Sequence, residues 1–166
     1  MPSSPQNSRP QNSRPQAGAV GFDHVNISVR DLDRAIRFYG ETFGLAVLLR
    51  QTLSGEWFDA IRGTRGAVAD CAILVNDDHS LRVEMLCFPG PSTGPSGMDD
   101  VGIGHFAITV TDIDAVRERA IRAGATPVGA VVEVPRSILP KGKRMCYLRD
   151  PDGILLELAQ RLDAAP

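Results

Sequence analysis

One pattern occurs twice in the chain, with an offset of about half its length. Residues 22–33 read FDHVNISVRDLD, and residues 103–114 read IGHFAITVTDID. In each copy a histidine begins a run of alternating apolar and polar residues, which is typical of a strand with one buried face. An aspartate then stands where a helix can begin. The repeat predicts that the chain folds as two similar modules.

Each module predicts the same order of elements, namely a strand, a helix and three further strands. In the first module we expect strands at 22–29, 46–53, 68–76 and 80–88 and a helix at 32–43. In the second we expect strands at 103–110, 126–134, 143–149 and 153–159 and a helix at 113–123. These patterns predict an α+β fold in which two βαβββ modules pair into a barrel-like, curved sheet around a cleft.

The same patterns divide the chain into four parts. Residues 21–89 form the first module and residues 103–161 the second, joined by a linker at 90–102 that is rich in glycine, proline and serine. Residues 1–20 repeat the sequence QNSRP and carry almost no side chain that could join a core, which predicts a disordered tail. The tail lacks the apolar segment of a secretory signal, so we expect a cytoplasmic protein.

Composition argues against several classes of partner. The net charge is −2, which does not favour nucleic acid or an anionic membrane surface. No uncharged apolar run reaches the roughly 18 residues that a membrane-spanning helix needs. The three cysteines lie in apolar runs and are odd in number, which predicts free thiols in a reducing compartment. The apolar and charged fractions are those of an ordinary globular domain.

Two histidines and two glutamates occupy matching positions in the two modules. They are, module by module, His24 with Glu84 and His105 with Glu157. A carboxylate in the middle of an apolar strand is costly to bury unless it is paired or bound to a metal ion. Two imidazoles and two carboxylates suit one divalent ion, Zn, Ni, Fe, Co or Mn, with one or two positions open to water or substrate. Taken singly, each histidine could be structural, and Arg82 could be the ion partner of Glu84.

The motifs around these residues resemble those of the vicinal oxygen chelate superfamily, which includes glyoxalase I, extradiol dioxygenases and bleomycin-binding proteins. The resemblance covers about residues 21–160 and rests on DHV at 23–25, DLDRAIRFY at 31–39, FGL at 43–45, GHFAITV at 104–110 and RDPDGILLEL at 149–158. It implies a paired βαβββ fold with one divalent metal ion in the cleft. The ligand positions that it implies are His24, Glu84, His105 and Glu157.

The complete His, Glu, His, Glu set is similar to that of glyoxalase I and close to that of methylmalonyl-CoA epimerase. It implies a lyase or isomerase that moves a proton next to the carbonyl of a small substrate through a metal-bound enediolate, with Glu157 or Glu84 as the base. Ser28 stands where glyoxalase I has its glutathione-binding arginine, and Phe88 stands where it has an asparagine. These departures argue against lactoylglutathione as the substrate. The resemblance also implies a homodimer, and it leaves open whether one chain or two build the site.

Two other functions fit the same residues. Two histidines and one carboxylate would suffice for an Fe(II)-dependent, ring-cleaving or other dioxygenase. A small-molecule or antibiotic binding protein of the resistance type is a third interpretation. The candidate substrate contacts are Asn26 on the polar face of the first strand, Trp57 in an irregular apolar stretch and Arg144 in a basic loop at 135–144. Trp57 could equally be packing, and the basic loop could equally be solvated.

Overall fold

The structure, a computed structural model, describes residues 21–91, 94, 102 and 104–163. The predicted disordered tail at 1–20 and most of the predicted linker lie outside these residues. The boundaries of the tail, the linker and the two modules therefore stay predictions.

The first module contains one four-stranded sheet and two helices. Its elements are β1 (Val25–Ser28), α1 (Leu32–Phe43), β2 (Ala46–Leu53), α2 (Glu56–Arg62), β3 (Ala69–Val75) and β4 (Arg82–Cys87). The strand order is β1-β4-β3-β2, in which the β1–β4 pair is parallel and the other pairs are antiparallel. Alternate side chains of β3 and β4, such as Leu74 and Met85, are fully buried and face α1. The other face of the sheet points away from α1.

The second module repeats this architecture without a counterpart of α2 in its described residues. Its elements are β5 (Phe106–Thr109), α3 (Ile113–Arg122), β6 (Thr126–Glu133), β7 (Lys143–Arg149) and β8 (Leu155–Arg161). The strand order is β5-β8-β7-β6, and here too the first strand pairs in parallel with the last. In both modules this pairing sets the strand that follows the histidine beside the strand that carries the glutamate.

Aspartate side chains begin both long helices. Oδ1 of Asp31 accepts the backbone N–H of Arg34 at 2.9 Å, and Oδ1 of Asp112 accepts that of Ala115 at 3.0 Å. Such caps satisfy N–H groups that have no partner inside the helix. α1 ends at Gly44, whose φ of 72° is left-handed and costs glycine little. The helix predicted at 32–43 has these bounds in the structure.

The prediction of an irregular stretch around Trp57 is wrong, because this residue lies in α2. The helix has seven residues between Gly55 and Gly63, both with positive φ. A segment of this length shows no clear helical period and gains little from propensity alone. Its stability comes from packing of Phe58, which is 5% exposed and joins a small cluster with Leu53.

The two long helices pack against each other, and each packs against the sheet of its own module. One hydrophobic core therefore spans both modules. Phe38 and Tyr39 of α1 and Ile113 of α3 are completely or almost completely buried in it. Burial of a large apolar side chain contributes about 1.5–3 kcal/mol. The opposite face of each sheet points away from its helix and is called the outward face below.

A buried polar cluster also joins the modules. The Tyr39 hydroxyl donates to Oδ2 of Asp150 at 3.1 Å, and Oδ1 of Asp150 accepts the N–H groups of Asp152 and Ile154, each at 2.9 Å. Asp152 pairs with Arg34 of the first module at 2.7 Å. Burial raises the pKa of Asp150. Burial together with the neighbouring Asp150 charge raises the pKa of Tyr39 well above 10.0.

The predicted α+β fold of two βαβββ modules is confirmed. The sheets are curved, but each remains a separate four-stranded sheet and neither closes into a barrel. Among the residues that the structure describes, no helix has the length and apolar character needed to cross a membrane.

Candidate metal centre

The first histidine and glutamate pair lies on the outward face of the first sheet. The parallel register of β1 and β4 sets Asn26 beside Glu84. His24 lies two residues before Asn26 and therefore shares its side of the chain. As a result, Nε2 of His24 is 3.5 Å from Oε2 of Glu84.

Both members of this pair have a further polar partner. Nδ2 of Asn26 donates to Oε2 of Glu84 at 2.7 Å, and Oδ1 of Asp23 lies 2.8 Å from Nδ1 of His24. A carboxylate on one ring nitrogen orients the imidazole so that the other nitrogen can bind a ligand. The hydrogen bond with His24 and the charge of Arg82 lower the pKa of Asp23. Arg82 contacts Asp23 at 3.5 Å, so its interpretation as the partner of Glu84 is wrong.

The second module builds an equivalent pair. The register of β5 and β8 sets Ala107 beside Glu157, and Nε2 of His105 is 3.3 Å from Oε2 of Glu157. The ring of Tyr147 packs edge to face against His105, with centroids 5.1 Å apart. Glu157 is 5% exposed, and its second oxygen, Oε1, is bound by the ammonium group of Lys143. The second pair is therefore more enclosed than the first.

The geometry of each pair fits two ligands of one metal ion. Two atoms that each lie about 2.1 Å from an ion, at about 90–110° to each other, are about 3.0–3.4 Å apart. The Nε2–Oε2 distance is 3.5 Å in the first pair, just above this range, and 3.3 Å in the second, within it. Imidazole nitrogen and carboxylate oxygen are donors that the divalent ions from Mn to Zn accept. Each module thus offers one imidazole and one carboxylate spaced like two ligands of one ion, and this histidine and glutamate pair is called a half-site below.

The two pairs do not meet within one chain. They lie on different sheets, although Asn26 next to the first pair and His105 of the second line the same cavity of about 790 Å³. Within residues 21–91 and 104–163, no three His, Cys, Asp or Glu side chains are placed to hold an ion together. That all four predicted ligands bind one ion stays a prediction. A site with all four ligands requires a second copy of the chain or a different arrangement of the modules.

The three predicted substrate contacts have different surroundings. Asn26 donates a hydrogen bond to Glu84 of the first half-site. Trp57 is 52% exposed and lines a cavity of about 360 Å³ that Glu84 also lines. The guanidinium of Arg144 binds Asp114 of α3 through contacts of 2.8 and 3.1 Å. This position on the helix-facing side of β7 gives no support to a substrate contact by Arg144, which stays a prediction.

The basic loop makes Lys143 a predicted candidate to hold an anionic group of the substrate, whereas Tyr147 has no predicted role. In the structure Lys143 begins β7. Alternation along this strand places Lys143 and Tyr147 on the face that carries Glu157, since Tyr147 pairs with Glu157 in the register. The alternation of β7 beside a strand with a buried glutamate is the signal that could have identified both residues.

Two modules of this topology, each with a histidine ahead of its first strand and a glutamate on its last, define a class of proteins built from repeated βαβββ units. The family model of the Glyoxalase/Bleomycin resistance protein/Dioxygenase superfamily matches residues 21–158. The chain belongs to this superfamily, and the resemblance found in its motifs is confirmed.

Similar proteins include enzymes of two kinds. A 2-epi-5-epi-valiolone epimerase from an Actinomyces species is 32% identical over 160 residues, which are 90% of this chain and 84% of the epimerase. A lactoylglutathione lyase from Arabidopsis thaliana is 31% identical over 141 residues, which are 84% of this chain and 44% of that protein. The chain thus spans less than half the length of this plant relative. A crystal structure of a glyoxalase family protein from Bacillus cereus has a TM-score of 0.77 and 31% identity, covering 90% of this chain and 99% of that one.

Proposed function

We propose that this protein is a divalent-metal-dependent enzyme of the glyoxalase I and epimerase type, which transfers a proton next to the carbonyl of a small substrate. The observation that carries the proposal is the duplicated pair, with Nε2–Oε2 distances of 3.5 and 3.3 Å at equivalent places in the two modules. The similarity to an epimerase and to a lyase supports this class of reaction. The product would be an epimer, an isomer or a lyase product.

The ion would be held by His24, Glu84, His105 and Glu157. When bound, it would supply a Lewis acid that stabilises negative charge on the substrate oxygen next to the carbon that loses its proton. A carboxylate moves the proton. We assign this role to Glu84, because its side chain is 23% exposed and lines a cavity of ligand size. The enclosed Glu157, bound by Lys143, is assigned the role of a ligand.

A second copy of the chain would complete the site. β1 and β5 are edge strands, and both line a cavity of about 790 Å³ between the modules. The free edge of a strand presents N–H and C=O groups that can pair with another strand. In a two-fold dimer, β1 of one copy can lie beside β5 of the other, and the reverse. This arrangement brings the first pair of each copy to the second pair of its partner.

Metal binding in solution tests the proposal. The metal-free protein is incubated with Zn²⁺, Ni²⁺ or Co²⁺, and the ions retained per chain are counted after gel filtration. We expect about one ion per chain, and loss of the ion in His24→Ala and in His105→Ala, because each variant removes a ligand. His79→Ala is the matched control, since this histidine lies in an exposed turn. Equal loss in all three variants, or no binding by the wild type, would contradict the proposal.

Solvent exchange tests the class of reaction. The metal-loaded protein is incubated in D₂O with a panel of small carbonyl compounds, and deuterium next to the carbonyl is measured by NMR. We expect exchange that Glu84→Gln abolishes, because the variant lacks the carboxylate that moves the proton and that also binds the ion. Oxygen consumption that depends on Fe(II), without exchange, would contradict proton transfer and favour the dioxygenase interpretation.

A further inference from the structure

Helix α2 covers an apolar cavity next to the first half-site. The cavity has a volume of about 360 Å³, near the lower end of the range for small-molecule pockets. Its lining includes the apolar residues Leu49, Leu53, Trp57, Phe58, Ile61 and Phe88. The described part of the second module has no equivalent of α2, so the cavity distinguishes the two halves of the molecule.

Large apolar side chains remain exposed at this cavity. Trp57 is 52% exposed and Ile61 is 75% exposed, although the adjacent Phe58 is only 5% exposed. Apolar side chains gathered around a concave surface mark a place where a ligand binds. The cavity therefore suits a ligand with an apolar body.

One cation faces this apolar surface. The guanidinium carbon of Arg62 lies 4.3 Å from the centre of the Phe88 ring and 5.9 Å from that of Phe58. Arg62 takes part in no salt bridge among the described residues. Aromatic faces orient a guanidinium and leave its N–H groups available to bind a carboxylate or phosphate through two parallel hydrogen bonds. The cavity thus combines apolar walls with a site for an anion.

We propose that the α2 cavity selects the substrate by binding its non-reacting part, an apolar group that carries an anionic carboxylate or phosphate held by Arg62. The substrate class is then an anionic carbonyl compound with a ring or branched apolar body. This inference rests on the proposed function for the reacting end of the substrate, because Glu84 lines the cavity and also belongs to the first half-site.

Fluorescence of the metal-free protein tests this proposal, because Trp57 is the sole tryptophan of the sequence and lines the cavity. The protein is titrated with 4-phenylbutyrate, 2-phenylethyl phosphate and the neutral 4-phenylbutanamide. We expect a saturable change in emission with at least one anion and about tenfold weaker binding of the amide, which lacks the charge-assisted contact.

Two arginine variants test whether Arg62 is the reason that the anions bind more tightly than the amide. Arg62→Gln should bind the anion and the amide equally, whereas Arg65→Gln should keep the preference for the anion. Arg65 is an exposed arginine three residues away that does not line the cavity, and it is therefore the matched control.

Equal binding of the anions and the amide by the wild type overturns the proposal, as does the absence of a saturable change. A preference that survives in Arg62→Gln overturns it as well. The comparison within the wild type needs no variant, so a folding defect in Arg62→Gln cannot hide the result. The titration uses metal-free protein, so its result does not depend on metal binding. The proposal for the cavity and the proposal for the metal site can therefore fail independently.

Discussion

The two carboxylates of the half-sites differ in their immediate partners. Glu84 accepts a hydrogen bond from the neutral amide of Asn26 at 2.7 Å. Glu157 is bound by the ammonium of Lys143, and the side chain of Glu157 is 6% exposed. A buried carboxylate needs a cation or several donors to replace the water that it has lost. Lys143 therefore stabilises the carboxylate of Glu157 while no metal ion is bound. Its positive charge also weakens the binding of a metal ion to Glu157.

Replacement of Lys143 by methionine should separate these two effects. Lys143→Met should lower the free energy of unfolding of the metal-free protein by about 1–3 kcal/mol, because Glu157 stays buried without its cation. The variant should also bind a divalent ion more tightly, since a nearby positive charge has been removed. Urea unfolding with and without excess Zn²⁺ measures both, and the difference between wild type and variant should shrink when Zn²⁺ is present.

Lys141→Met is the control for this change. The Lys141 side chain is 76% exposed and contacts Asp163 at 3.4 Å, so its removal should alter the free energy of unfolding little. A loss in Lys143→Met that matches this control, or that Zn²⁺ leaves unchanged, would show that Lys143 does not support Glu157.

The buried Asp150 determines part of the pH dependence of stability. Burial raises the pKa of this carboxyl above its ordinary value of 3.8. A carboxyl whose pKa is higher in the folded protein stabilises the fold below its unfolded pKa, and this contribution is lost as the pH rises through the folded pKa. The free energy of unfolding of the wild type should therefore fall relative to that of Asp150→Asn as the pH is raised above 3.8.

Urea unfolding at a series of pH values measures this difference. Asp77→Asn is the control, because Asp77 lies in an exposed turn, and it should follow the wild type across the series. A constant difference between the wild type and Asp150→Asn at all pH values would be inconsistent with the burial of an ionisable group at this position.

At the scale of secondary-structure elements, α1 and α3 begin with the same arrangement, an aspartate that caps the helix. The capping residues Asp31 and Asp112 have similar extended conformations, with φ of −143° and −138°. Asp31→Ala and Asp112→Ala should each lower the free energy of unfolding by about 1 kcal/mol, because a backbone N–H loses its partner. Asparagine at either position should restore most of this loss. Chemical denaturation measures these effects, and a loss at one helix alone would show that the two caps are not equivalent.

The elements that could be predicted from the sequence are those whose residue pattern extends over several turns or strand residues. The helix at 32–43 combines an apolar stripe with a cap at Asp31 and a glycine at its end, and its predicted bounds are those observed. α2 has seven residues and no counterpart in the repeat, so neither its period nor the duplication reveals it. Short elements that depend on tertiary packing leave little trace in the local sequence.

The same reasoning applies to the candidate site. The repeat singled out His24 and Glu157 because each has a partner at a matching position of the other module. The pairing of Arg144 with Asp114 depends on how α3 lies against β7, and no local pattern carries that information. The partition of the four predicted ligands into two separated pairs likewise depends on how the modules pack.

Over the whole molecule, the modules pack through their helices and turn their half-sites outward. Besides the shared apolar core, the Arg119 guanidinium on α3 donates to the carbonyl oxygen of Thr42 on α1 at 3.3 Å. Any rearrangement of the chain that separated the modules would expose this core, at a cost of several kcal/mol. A second copy of the chain can complete the site and leave the core intact.

Metal counting on mixed dimers tests this arrangement most directly. Chains carrying His24→Ala and chains carrying His105→Ala, each with its own affinity tag, are co-expressed, and the mixed dimer is isolated through both tags. If each site combines one module from each copy, one of its two sites lacks both histidines and the other is intact. We expect about one ion per mixed dimer, about two per wild-type dimer and none in either variant alone.

A second mixed dimer combines one wild-type chain with one chain that carries both substitutions, and it should bind no ion where the first binds one. Each of its sites then lacks one histidine, so we expect no tightly bound ion, whereas a site within a single chain would remain intact in the wild-type copy. About one ion in the first mixed dimer and none in the second is the predicted outcome. The reverse pattern, or equal metal content in the two mixed dimers, would contradict a metal site shared between His24 and Glu84 of one copy and His105 and Glu157 of the other.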